Sequence, residues 1–192
     1  MSAAGFRLSK PDLKHGGGYG QSAWIHPSRD DVCVELHWNL INSPQQRGRS
    51  SVEYHHLVGD NESQQADNPL SPAALLLIAA IHATHSHQFD RLQLVYDLVQ
   101  AARGSAGRID VDRLVDMAAE TNTSYALYAA LKVAAQAVRD QSVARLARRL
   151  APRLASSLPG HWLISNRVLR QPDSRLASRH RRGFREVLKR AA

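Results

Sequence analysis

The alternation of apolar and polar positions changes period near residue 70. Upstream, residues 22–26 and 32–40 are rich in aliphatic and aromatic side chains, which predicts two strands. Pro27-Ser28-Arg29-Asp30-Asp31 has turn chemistry and predicts a β-hairpin between them. Residues 1–20 show no period and end in Gly16-Gly17-Gly18-Tyr19-Gly20, a flexible turn region. Residues 41–69 are polar and predict a long mobile loop, with a short element around 52–58.

From residue 70 the period is helical. Ser71 is a natural N-cap and Pro72 suits the first helical position. Leu75, Leu76, Leu77, Ile78 and Ile81 are apolar on nearly all sides, so this helix is expected at the buried centre of a bundle. A second helix is predicted over 90–103, with Leu92, Val95, Leu98 and Val99 inward, ending near Gly104. A third starts at Asp110, with Leu114, Val115 and Ala118 inward and Ile109 stapling its start. Residues 124–138 and 140–158 continue as Ala/Leu-rich helices, the latter interrupted at Pro152. Trp162, Leu163, Val168 and Leu169 are expected to dock, with a frayed basic helix from Ser174 onward. The fold class is therefore α+β: a small antiparallel β element followed by a mostly helical bundle. The expected divisions are 1–69, a helical bundle over 70–160 and a basic tail over 161–192.

Composition narrows the setting. A chain of 192 residues with 43% hydrophobic content suffices for one well-cored domain, or for part of a larger one. The longest apolar run, 73–81, stops at His82, well short of the ~20 residues of a membrane helix. The N-terminus has no basic segment followed by an apolar core, and Cys33 alone makes no internal disulfide. A cytoplasmic location is expected. The net charge of +8 is uneven, with +11 from residue 139 onward and −3 before it. Attraction to polyanions would therefore centre on the C-terminal third, where Arg spaced along a helix also reads as an ordinary solvated face.

Glu35 stands in Val32-Cys33-Val34-Glu35-Leu36-His37-Trp38, a carboxylate among strand-forming residues. If buried it needs a partner or a metal; on an edge strand, Glu35 and His37 simply face water. His82, His85 and His87 with Asp90 and Arg91 form the densest polar group in an apolar neighbourhood. His82 and His85, three apart, share a face of a regular helix, as metal ligands or as hydrogen-bonding anchors of the helix end. The Gly16–Gly20 run lacks the Gly-Lys-Ser/Thr ending of a P-loop. Gly104-Ser105 before Asp110-Val111-Asp112 imitates a metal-binding Asp-x-Asp turn. These carboxylates belong to a helix, however, where positions two apart diverge by about 200°. Asp110 is read as a cap. Cys33 and His37 lie on one strand face but roughly 13 Å apart, too far for a thiolate–imidazole pair.

Three segments, taken in order, resemble the bacterial uncharacterised nucleotidyltransferase family. They are Val34-Glu35-Leu36-His37-Trp38; the run from Leu70-Ser71-Pro72 through His82, His85, Phe89-Asp90-Arg91-Leu92 and Tyr96-Asp97-Leu98; and Ile109-Asp110-Val111-Asp112-Arg113-Leu114 with Ala118-Ala119-Glu120. Together they span about residues 23–140. The resemblance implies a minimal nucleotidyltransferase domain, related in fold to the polymerase-beta superfamily, joined to a helical region. In such proteins a Gly-Ser turn and an Asp-x-Asp strand precede a third acidic residue on a later strand. Glu35 matches that third position, as catalytic residue and metal ligand, with His37 beside it. His82, His85, Asp90, Arg91 and Asp97 match recurrent positions and are the candidate nucleotide-binding residues. The implied substrate is a nucleoside triphosphate, with Mg²⁺ as cofactor only where the missing motif is supplied.

No Gly-Ser/Asp-x-Asp pair precedes Glu35. The chain alone is therefore expected to be catalytically silent, as a truncated product, one half of a split enzyme or a remnant. A partner protein supplying the absent strands would restore the site. Two other readings stand beside it. One is a helical interaction module that docks a partner by β-addition at an exposed strand edge. The other is weak nucleic-acid binding through Arg175, Arg179, Arg181, Arg182, Arg185, Lys189 and Arg190.

Overall fold

The hairpin forms, but it opens outward. In the computed structural model, which describes residues 4–9, 20–41, 44–58, 70–104, 108–154 and 160–191, three strands make one antiparallel sheet. They are β1 (Arg7–Leu8), β2 (Gln21–His26) and β3 (Arg29–His37), in the order β1-β2-β3. Ala23 lies opposite Glu35 and Gln21 opposite His37, with the register shifting between Ile25 and His26. The turn is tighter than the sequence suggests, occupying only Pro27 and Ser28. β3 stops at His37 because the backbone N–H groups of Trp38 and Asn39 both turn to the carbonyl of Gly20, at 3.0 and 3.1 Å. A Cβ on Gly20 would come within 2.8 Å of the Asn39 carbonyl, so this approach requires glycine. Residues 10–19, with most of the Gly-rich run, lie outside the described residues.

None of the described strand residues belongs to the hydrophobic core, which begins at Ile41. Cys33, Glu35, Leu36 and His37 are all exposed. A sheet normally buries at least one face; here β2 and the Val32 and Val34 side chains are half-buried, and no described strand residue is fully buried.

The segment after the sheet is more ordered than its polarity predicts. Helices α1 (Pro44–Arg47) and α2 (Tyr54–Val58) lie within it, and Ile41, Val52 and Leu57 are buried. Asn122 ties it down: its carbonyl accepts from Ser50 Oγ and its side-chain amide donates to the Arg49 carbonyl, both at 2.9 Å. The expectation of a mobile loop therefore fails over 44–51, while the short element expected around 52–58 is α2, and Val52 and Leu57 reach the core. Residues 59–69 lie outside the described residues.

The helices follow their caps. The Ser71 hydroxyl accepts from the Ala74 N–H at 3.1 Å and opens α3 (Pro72–Ile81), whose Leu76, Leu77, Ala80 and Ile81 are buried. A wider π-helical turn, His82–Ser86, continues it. Helices α4 (Leu92–Gly104), α5 (Val111–Glu120) and α6 (Ser124–Val138) come next. Asp110 caps α5, accepting from the Arg113 N–H at 3.0 Å. In α4 the inward face is Leu94, Val95, Leu98 and Val99; Leu92, expected inside, is exposed at the first helical position. α7 (Gln141–Leu154) carries Pro152 in its last turn. The 3₁₀ turn Gly160–Leu163, α8 (Asn166–Arg170) and α9 (Arg175–Ala191) complete the order.

α9 is not frayed. Its Ala177, Phe184 and Leu188 are buried in the same apolar cluster as α3 to α7, and the Phe184 ring meets Phe89. Among the described residues, no helix is long and apolar enough to cross a membrane.

Candidate functional site

On β3, Glu35 and His37 are two apart and share a strand face. Glu35 Oε2 lies 3.6 Å from His37 Nε2, and the Glu35 side chain is 53% exposed. The water-facing alternative is thus the one observed, and no burial penalty arises. β3 forms one margin of the sheet, and no described strand pairs with its outer side.

The second half of the site comes from the π turn and the start of α4. The His82 and His87 rings lie 4.7 Å apart, centroid to centroid. His87 Nδ1 reaches Asp90 Oδ1 at 3.3 Å, and Arg91 Nε stands 3.8 Å from the same oxygen. Partial burial pushes the His82 imidazole below its ordinary value, and the charges of His87 and His37 act in the same direction. Asp97 and Glu35 oppose that shift. His82 therefore feels β3, the π turn and α4 at once. The fold brings Glu35, His37, His82 and Asp97 into one electrostatic neighbourhood, 62 sequence positions apart at the extremes.

His85 does not join them. It is buried, its Nδ1 lacks a partner, and burial pushes its pKa down to about 4. The expectation that His82 and His85 share a face is overturned, since His82 is exposed and His85 interior. The physical reason is the π turn, which hydrogen-bonds i to i+5 and so abandons the 3.6-residue repeat on which that expectation rested. His87 packs against His82 instead, with the ring planes inclined at 47°. Arg91 is two-thirds exposed and meets the group only through Asp90.

The turn that follows the paired rings is strained. Gln88 and Phe89 have φ of 47° and 59°, in the left-handed region that bulky side chains rarely adopt. Each such residue costs of order 1–3 kcal/mol. The conformation is held by Phe89 N–H to the Ala83 carbonyl at 2.9 Å and by Gln88 Nε2 to the His85 carbonyl at 2.7 Å. Arg185 Nη2 of α9 donates to Gln88 Oε1 at 2.5 Å.

These groups do not assemble a Mg²⁺ site by themselves. Among the described residues, no three His, Cys, Asp or Glu side chains are grouped to hold a metal ion. Glu35 contributes one carboxylate beside an imidazole, whereas two-metal phosphoryl chemistry needs several oxygen ligands. Asp110 is occupied as a cap and Asp112 pairs with Arg153, so neither substitutes for the absent Asp-x-Asp. Residues 105–107, including the Ser of the Gly-Ser turn, lie outside the described residues.

Comparison with known proteins gives one result. No curated protein and no solved structure matches the chain. A family model described as uncharacterised nucleotidyltransferase matches residues 1–139, reaching further toward the N-terminus than the motifs around Glu35. That span takes in the sheet, the π turn with its paired imidazoles, and helices α1 to α6; the chain belongs to the uncharacterised nucleotidyltransferase family.

Proposed function

We propose that this chain provides part of a nucleotidyltransferase site, transferring a nucleoside monophosphate from a nucleoside triphosphate once further strands join β3. Glu35 is the third acidic residue of that site. His37, His82, His87 and Asp97 line the side from which the nucleotide phosphates approach. The missing Gly-Ser and Asp-x-Asp elements come from another segment or a partner protein, added along the outer margin of β3. They would also bring the oxygen ligands for Mg²⁺ that the described residues lack. The setting is the cytoplasm.

One relationship carries this reading: Glu35 and His37 of β3, His87 after the π turn and Asp97 of α4 all act on the His82 imidazole, and no described strand pairs with the outer side of β3. The strained residues Gln88 and Phe89 add support, since π turns and left-handed bulky residues gather at functional sites.

Nuclear magnetic resonance of the full chain tests it. Titration with ATP or CTP to millimolar concentration should shift the imidazole resonances of His37, His82 and His87. With Mg²⁺ present the shifts should grow, and Glu35→Gln should abolish that increment. Shifts confined to other parts of the molecule, or none at all, would overturn the proposal.

A further inference from the structure

α9 carries seven Arg and Lys side chains against one acidic residue, Glu186. Three of the seven are engaged. Arg181 donates to the Pro172 carbonyl at 2.7 Å, Arg185 to Gln88, and Lys189 to Glu186 at 2.8 Å. The other four, Arg175, Arg179, Arg182 and Arg190, are exposed. At 100° per residue they fall within an arc of about 80° and extend along about 22 Å of helix. Ala177, Phe184 and Leu188 occupy the opposite side and are buried.

An exposed aromatic ring flanks this stripe. The 3₁₀ turn Gly160–Leu163 packs along α9, with the Leu163 carbonyl 3.0 Å from His180 Nδ1. Leu163 Cδ1 stands 3.2 Å from where a Cβ on Gly183 would lie, and Val187 closes on Gly160. His180, Gly183 and Val187 form the helical row next to the arginines. From that turn Trp162 projects with 71% of its surface exposed, the highest value for any large apolar side chain among the described residues. The buried His161 ring braces it edge-on, at 5.7 Å.

We infer that the exposed face of α9, together with Trp162, binds single-stranded nucleic acid. The guanidiniums meet successive phosphates and the indole stacks on an unpaired base. An unpaired base is required because the bases of a duplex are already stacked on one another. Charge complementarity is strong, since residues from 139 onward carry a net +11. A membrane surface fits less well, because an interfacial helix needs a free apolar face and that of α9 is already in the core.

Fluorescence anisotropy of the full chain with a labelled single-stranded oligonucleotide, across a salt series, is the test. Four phosphate contacts predict a slope of about −3 in log K against log salt. Arg179→Gln with Arg182→Gln should roughly halve that slope and weaken binding at least about tenfold. Trp162→Ala should weaken binding about tenfold with the slope unchanged, and should remove the quenching of tryptophan emission that the oligonucleotide causes. Circular dichroism melting of each variant should match the parent, since none of these side chains is in the core. If a variant melts early, quenching of the parent chain still decides the matter. The inference is overturned by absence of binding at low salt, by duplex binding as tightly as single strand, or by affinities that ignore these substitutions. Co-flotation with anionic vesicles that the oligonucleotide cannot displace would overturn it in favour of a lipid surface.

Discussion

The rings of Phe89 and Phe184 lie 5.8 Å apart with their planes inclined at 56°, both fully buried. One belongs to the strained turn that follows the paired imidazoles and the other to the C-terminal helix. α9 therefore braces the strained turn at Gln88 and Phe89, although it lies beyond the span that the family model matches. Phe184→Ala should lower the unfolding free energy by about 4 kcal/mol in urea denaturation. It should also speed amide hydrogen exchange at Phe89 and Asp90, because the contact that holds their backbone is gone.

His85 makes stability depend on pH. Unfolded, its imidazole titrates near ~6.5; folded, burial holds it at about 4. Between those values the unfolded chain binds the extra proton, so stability rises with pH. The contribution is full above the unfolded value and is lost as pH falls toward the folded one. The slope is about 1.4 kcal/mol per pH unit. His85→Leu should remove this component. Urea midpoints at pH 5 and pH 8 should therefore differ less in the variant than in the parent.

Asp140 joins two helices and acts as a cap. Its Oδ1 accepts from the N–H groups of Ser142 and Val143 at 2.9 and 3.0 Å, while Arg103 grips Oδ2 through Nη2 at 2.6 Å and Nε at 2.8 Å. The Val143 N–H, followed by Arg103, holds this carboxyl below the ordinary carboxylate range. Its contribution is thus present above the unfolded pKa and is lost as pH falls through the folded value. Asp140→Ala should cost about 2 kcal/mol in thermal or urea unfolding. Asp140→Asn keeps an acceptor for the cap and should cost less, while flattening the acid limb of the stability curve.

Arg139 ends α6 with φ of 54° and an exposed side chain. A non-glycine residue there carries a steric penalty that glycine avoids. Arg139→Gly should raise the unfolding free energy by about 1 kcal/mol, and a drop in melting temperature would refute the assignment.

What could be read from the chain divides along a physical line. α3, α5 and α6 were legible because Ser71 and Asp110 announce their starts and the apolar spacing keeps a 3.6-residue period. α9 was obscured because its buried anchors are only Ala177, Phe184 and Leu188, set among basic side chains. Its helix depends on tertiary contact with Phe89 and Leu163, which no local window contains. In the candidate site, Glu35, His37 and His82 draw attention in the chain itself and Asp97 enters through the family resemblance; the fold lets Glu35, His37 and Asp97 all act on His82. The exchange of His87 for His85 could not be read from the chain, because a π turn leaves no signature in a pattern read with α-helical spacing. That the described strand residues stay outside the core was hidden as well. Val32, Val34, Leu36 and Trp38 look like core residues unless the count of available covering layers is known.

The free-standing margin of β3 among the described strands has a consequence for handling the protein. Among the described residues no strand pairs with the outer side of β3, and an unpaired strand edge is the template on which like molecules zip together. Two copies meeting there would form a twofold dimer, so sedimentation should become heavier as concentration rises. Cys33, exposed on the same strand, gives air oxidation a means of locking such dimers. Dilution with a reductant, rather than denaturant, is the route back to monomer.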